Sequence, residues 1–197
     1  MKKSYIILGG IIFFVFVIFM TYRSSYNTAV EYKMAVKRSW GAVQTTYQRR
    51  ADLIPQLVAT VKGASANEKD ILTNVTNARA GISNFDPTLL DQEIGNAKNP
   101  RQLDVAGKKI NTAINLAFEA YPQIRSTDAF LGLQNDITGT ENRINKARQD
   151  YNEAIELYNT HISGFLNSMF LNKSLFPYNE ETFSAASGSD KAPEIKF

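Results

Sequence analysis

An uncharged run of eighteen residues, YIILGGIIFFVFVIFMTY from Tyr5 to Tyr22, constrains this chain more than any other feature. Lys2 and Lys3 precede it and Arg23 follows it. At a helical rise of about 1.5 Å per residue, about 20 such residues cross a hydrocarbon core roughly 30 Å thick. Tyr5 and Tyr22 stand where interfacial aromatics belong. A cleaved signal peptide would have a shorter apolar core and a small-residue cleavage site, and Thr21, Tyr22, Arg23 and Ser24 offer none. A buried core helix would show a polar stripe, whereas Ile, Phe and Val here run round every face. The expectation is a retained anchor. Lys2 and Lys3 favour a cytoplasmic N-terminus, against the pull of Arg23, Lys33, Lys37 and Arg38. The expectation leans to the remainder lying on the non-cytoplasmic side of the membrane.

The chain has 197 residues, which leaves one domain large enough to bury a core without staples. Its 22 Lys+Arg against 19 Asp+Glu give a net charge of +3 that is nowhere gathered into a block, so no nucleic-acid footprint is expected. Cysteine is absent, which removes disulfides, thiolate catalysis and thiolate metal sites together.

Beyond Arg23 the apolar residues keep a helical beat: Tyr26, Val30, Trp40, Val43, Tyr47, Leu53, Ile54, Leu57, Val58 and Val61. This reads as one long helix bent near Pro55, with Asp52 capping the restarted part and Gly63 ending it. Ile71, Leu72, Val75, Ala78, Ile82 and Phe85 mark a second helix that stops before Asp86-Pro87. Leu89, Leu90 and Ile94 form a looser lead-in to a third, which carries Leu103, Ala106, Ile110, Ala113 or Ile114, and Ala117 and ends at Tyr121-Pro122. Ser126 or Thr127 caps a fourth with a heptad-like stripe of Phe130, Leu133, Ile137, Thr140, Ile144, Ala147, Tyr151, Ala154, Tyr158 and His161. After Ile162 the period fails, and Phe165, Leu166, Met169, Phe170, Leu175, Phe176, Tyr178 and Phe183 read as a strap packing back on the helices. No strand-like alternation of useful length appears. The class is all-α: an N-terminal transmembrane helix, then an antiparallel up-and-down bundle of about four long helices. The chain divides into a flank at 1–4, an anchor at 5–22, a bundle at 26–165, and a strap with a loose tail at 166–197.

Register follows from this arrangement. Arg49 lies as far before a turn at Ala64 as Glu141 lies after a start at Ser126, so both stand about 22 Å up the bundle. Arg49 or Arg50 is therefore expected to meet Glu141 or its neighbour Asn142, and Lys62 to meet Glu119 near the distal end. Such charges in bundles are usually paired to fix register rather than to make a site.

Catalytic signatures are missing. His161 is the single histidine and has no carboxylate four residues before it, which argues against a zinc or di-metal helix motif. Gly9-Gly10 and Gly188 lack the context that phosphate binding needs. Glu93, Asp104, Glu119 and Glu141 show no spacing that would make them an acid–base set. Neither catalytic residue, metal nor cofactor is expected.

Several blocks in order resemble the LemA family: R-R-A-D-L-I-P from Arg49 to Pro55, V-K-G from Val61, E-A-Y-P from Glu119 to Pro122, F-L-G-L-Q from Phe130, T-E-N-R-I from Thr140 and A-R-Q-D-Y-N from Ala147 to Asn152. The resemblance runs from Tyr26 to about Phe165. It implies a bacterial, membrane-anchored antiparallel bundle and carries no general activity or cofactor. Relatives associated with magnetosomes are linked to membrane organelle formation, and others act beside membrane proteases or envelope proteins. Gln56 stands where the family often has Asn, and Ala64-Ser65-Ala66-Asn67 replaces an aromatic-containing turn. The residues marked out for interaction or register are Arg49, Arg50, Asp52, Pro55, Lys62, Glu119, Tyr121, Glu141, Asn142, Arg148, Tyr151 and Asn152.

Two functions compete on this reading. The first is a membrane-tethered interaction module or scaffold for envelope membrane proteins. The second is membrane shaping or homo-oligomeric assembly, with the anchor and tail aromatics engaging lipid or neighbouring copies. A hydrolase built on clustered carboxylates is a distant third.

Overall fold

The computed structural model describes residues 2–57, 59, 87–120 and 128–184, and every regular element among them is helical. The first helix, α1, runs from Lys2 to Ala51. No Gly or Pro interrupts it between Ile11 and Trp40, so the boundary expected between anchor and domain at residues 23–25 is not a break in the backbone. From Tyr5 to Met20 the large apolar side chains are all exposed, whereas Ala29, Val43, Tyr47 and Ala51 are buried. By length and composition, this is a helix able to cross a membrane.

The helix ends at Ala51 for a local reason. Pro55 has no N–H to give the Ala51 carbonyl, and its ring crowds that oxygen. Asp52 N–H still bonds Gln48 O at 2.9 Å, and the helical path resumes over 53–57. The bend expected near Pro55 is thus a break at Asp52, where the helix was expected to restart.

The chain forms two compact units, Met1–Trp40 with Asp150–Glu180 and Gly41–Gln149 with Glu181–Phe197. The long helix α4, Asp128–Ser163, contributes to both, as α1 does. Two further helices belong to the second unit: α2, Pro87–Asn96, and α3, Pro100–Ala120.

In the first unit α1 and α4 run antiparallel, with Tyr32 against His161 and Trp40 against Tyr151. Ala29, Tyr158, Ile162, Leu171 and Phe176 make its core, and Val30, Tyr32 and Val36 pack onto it. The stripe of α4 departs from expectation here. Ile155 and Ile162 are buried where Ala154 and His161 were expected, and these latter are half-buried. Either set fits a seven-residue repeat through Tyr151 and Tyr158, and the larger isoleucines gain more from burial than alanine or histidine.

The strap after α4 is stitched by polar side chains acting as backbone. Asn159 Nδ2 donates to Asn179 O at 2.7 Å while its Oδ1 accepts from Asn179 N at 3.0 Å, and the Tyr158 hydroxyl donates to Pro177 O at 3.0 Å. Phe176 and Phe183 pack inward as expected. The short helix α5, Phe165–Phe170, does not, and it buries none of its residues. Its polar Asn167 faces inward instead, accepting from Ser25 Oγ at 2.7 Å and donating to His161 O at 2.8 Å. Leu175 and Tyr178 are also exposed.

In the second unit α2 is a regular ten-residue helix rather than a loose lead-in. Pro87 supplies the fixed φ suited to a first turn. At the other end Gln44 of α1 shares its side-chain amide among the carbonyls of Ile94, Gly95 and Ala97, at 3.0–3.2 Å. That satisfies acceptors a helix C-terminus otherwise leaves open. The next helix starts with Asn99 Oδ1 accepting from Gln102 N at 3.1 Å and Gln102 Oε1 accepting from Lys98 N at 2.6 Å, a variant of the capping box ahead of Pro100. Leu103, Ala106, Ile110, Ala113 and Ile114 are buried along α3, as its periodicity requires. The expected helix over Ile71–Phe85, the turn at Gly63–Asn67, the stop at Tyr121-Pro122, the caps Ser126 and Thr127, and the end of the tail lie outside the described residues.

Candidate functional site

The sequence block Arg49–Pro55 and the partners it meets lie in the second unit. Helical geometry divides the block. Arg50, Ala51, Leu53 and Ile54 turn inward and are buried, while Arg49, Asp52 and Pro55 are exposed. Arg50 Nη1 forms an ion pair with Glu141 Oε2 of α4. The arginine side chain is only 11% exposed and the glutamate 43%, so the pair sits at the edge of the core. Burial pushes the Arg50 guanidinium below its ordinary range, although arginine stays charged throughout. Asn142, the neighbour of Glu141, is exposed.

One turn away, Tyr47 is the hub. It is 1% exposed, between α1, α3 and α4. Arg148 of α4 donates through Nη2 to the Tyr47 hydroxyl and, at 2.5 Å, to Asp104 Oδ1 of α3, and Tyr47 itself lies 3.4 Å from the same carboxylate oxygen. The Arg148 guanidinium is also held between two rings, 5.5 Å from the Tyr47 centroid and 5.0 Å from that of Phe183. Each contact draws on cation–π attraction as well as packing. Gln48 Nε2 adds a bond to Asp91 of α2, and Lys109 of α3 reaches Glu93 of α2 at 2.6 and 2.8 Å.

Burial pushes the Tyr47 phenol above its ordinary value of 10.0, against the hydrogen bond and charge of Arg148. The folded state therefore holds this proton more tightly than the unfolded chain. Its contribution to stability is complete below about pH 10 and is lost as pH rises through the folded value. Denaturant midpoints measured from pH 9 upward are expected to fall for the native chain and to fall less for Tyr47→Phe. Tyr158, pushed up by burial in the first unit, accounts for part of what remains.

Close approach at the hub requires glycine. A Cβ on Gly107 would lie 2.8 Å from Tyr47 Cε1, whereas one on Gly132 would meet nothing within 4 Å. Gly107→Ala is expected to destabilise by about 1–3 kcal/mol, the cost of overpacking. Gly132→Ala is expected to stabilise by about 0.5–1 kcal/mol through helix propensity. Unfolding midpoints of the two variants moving in the same direction would contradict this packing.

Of the other residues marked from sequence, Tyr151 is buried in the first unit with its ring 5.1 Å from that of Trp40, and Asn152 beside it is half-buried. Glu119 falls within α3, where its side chain is not described, and Lys62 and Tyr121 lie outside the described residues, as does the expected pairing of Lys62 with Glu119. The structure thus joins Arg50 to Glu141 and Arg148 to Tyr47 and Asp104. Gln44, Gln48, Asp91 and Gly107 are not marked by the sequence, because their partners are distant in the chain. A polar residue recurring on the inward face of α1, at 44, 47, 48 and 50, was the available signal. Chemically, these groups are pairwise bonded and hold helices together. Among the described residues no cluster of His, Cys, Asp or Glu could hold a metal ion.

The profile of the LemA family matches residues 39–197, taking in both the block and the C-terminal strap. The curated protein named Protein LemA of Metamycoplasma hominis is 24% identical over 182 residues, covering 92% of this chain and 76% of its own length.

Proposed function

Because the chain belongs to the LemA family across most of its length, we propose that it is a membrane-tethered, non-catalytic interaction module of the bacterial envelope. The exposed apolar part of α1 is its single membrane span. Lys2 and Lys3 keep the N-terminus in the cytoplasm, which puts the helical domain on the other side. The partner is a membrane protein of the envelope, and Arg49, Asp52 and Pro55 are where it docks.

One observation carries this reading: the division of the Arg49–Pro55 block into an inward half that builds the core and an outward half that makes no part of it. Arg50, Leu53 and Ile54 account for stability and leave Arg49 and Asp52 free for recognition. Exposed charged and proline positions at a helix break present backbone and side chain together, which suits a docking edge. The anchor adds to this by confining the module to the membrane plane. Within the first unit it continues as helix into the packed residues Ala29–Val36, with no linker between.

The test is photo-crosslinking in native membranes from a benzoylphenylalanine placed at Arg49 or Asp52 of the full chain. A discrete protein adduct is expected from both positions and not from Glu156, an exposed site of the first unit. Labelling that is the same from all three positions would count against a docking edge here.

A further inference from the structure

The short helix α5 offers a surface that the interaction reading does not use. Phe165, Leu166 and Met169 are 80%, 54% and 69% exposed, all within one and a half turns. Residues one, two and five of such a helix share a face, so this is a contiguous apolar patch rather than scattered exposure. The opposite edge, through Asn167, is tied to α1 at Ser25 and to α4 at His161, whose Nε2 lies 3.0 Å from Ser25 O. The Phe170 ring meets Tyr22 edge-on with centroids 6.2 Å apart. The patch is therefore held in a fixed orientation by polar bonds on its back.

Its position along α1 identifies the occupant. These contacts fall at Tyr22 and Ser25, where the uncharged run from Tyr5 ends, and Met20 and Leu166 share a groove whose other lining is polar. The exposed apolar surface of the span thus comes next to that of α5 at Met20 and Leu166. Arg23, which is exposed, follows the run at the level where phosphate headgroups would lie.

We propose that α5 is an in-plane interfacial helix, with Phe165, Leu166 and Met169 inserted into the boundary of the same bilayer that α1 crosses. Aromatic and long aliphatic side chains beside basic ones are suited to that depth. A second contact beside the span fixes the rotation of α1 about its own axis, which a single helix cannot do for itself. This inference rests on α1 being a span.

Because the chain lacks cysteine, single spin labels report each site cleanly. The full chain is reconstituted in vesicles of phosphatidylcholine and phosphatidylglycerol with a label at Phe13→Cys, Met169→Cys or Leu157→Cys. Collision with oxygen, which concentrates in lipid, is compared with collision with a water-soluble nickel complex. Leu157 is an exposed apolar residue of the same unit, away from α5. The expected result is an oxygen-to-nickel ratio at Met169 severalfold above that at Leu157 and below that at Phe13. A ratio at Met169 equal to that at Leu157, with Phe13 still in lipid, overturns the proposal and leaves the span intact. Shielding of Met169 from both reagents with dipolar broadening would overturn it in favour of a second copy of the chain. Water access at Phe13 would overturn both the interfacial helix and the span.

Discussion

Tyr47→Ala is expected to destabilise the folded chain by about 3–5 kcal/mol, the range for truncating a fully buried aromatic. The residue is 1% exposed, and its ring fills the space that Gly107 opens on α3. Removing it leaves a cavity among three helices and takes away one of the two rings that hold Arg148. It also leaves Arg148 and Asp104 with one fewer hydrogen-bond partner each. Tyr47→Phe keeps the ring and loses only the hydroxyl, so its cost is expected to be about 1–2 kcal/mol. Urea unfolding of full-length protein in detergent, followed by helical circular dichroism, separates the two. Equal and small shifts for both would mean that the hub contributes little.

The second large effect is an asymmetry at the Arg50–Glu141 pair. Glu141→Ala leaves a guanidinium in the core without its counter-charge, and Arg50 Nε is already buried without a partner among the described residues. Losing the partner of a fully buried charge costs about 3–5 kcal/mol, and the half-exposed position of Glu141 reduces this to about 2–3 kcal/mol. Arg50→Met keeps most of the packing of the stem and releases the glutamate to water, at about 1 kcal/mol. The double variant is expected to match Arg50→Met alone, because glutamate without arginine has nothing left to do. An Arg50→Met variant less stable than Glu141→Ala would show that the arginine acts through some other contact. Both substitutions leave Arg49 and Asp52 untouched, so crosslinking from those positions should survive wherever the fold does.

How far these features could be read in the sequence depends on how local their causes are. The α3 period was legible because leucine, isoleucine and alanine recur at helical steps, and the uncharged run was legible because nothing polar breaks it. Counting residues from the two ends of a bundle was enough to bring Arg49 or Arg50 to the level of Glu141, since helical rise is constant. It could not choose between the arginines. That choice depends on rotation about the helix axis, which sends Arg50 inward and Arg49 out. The helix α2 was underread because its C-terminal carbonyls are satisfied by Gln44, fifty residues earlier in the chain. The α4 stripe was placed correctly at Tyr151 and Tyr158, but alternative positions between them differ by one residue, and packing against Leu171 and Phe176 selects Ile162. Aperiodic apolar residues such as those of α5 suggest inward packing, whereas Asn167 holds the helix by its polar edge. Tyr47, Asp104 and Arg148 form one cluster from three helices, and their separation in sequence concealed it.

On the proposed function, α1 is at once the membrane anchor and the first packing helix of the domain. The most direct measurement is the intact mass of the protein from alkaline-washed membranes of the native host, alongside that of any soluble fraction. A membrane-bound species that keeps residues 1–22 is expected. A soluble species shortened by about the first twenty residues, the length of a cleaved signal peptide, would contradict it.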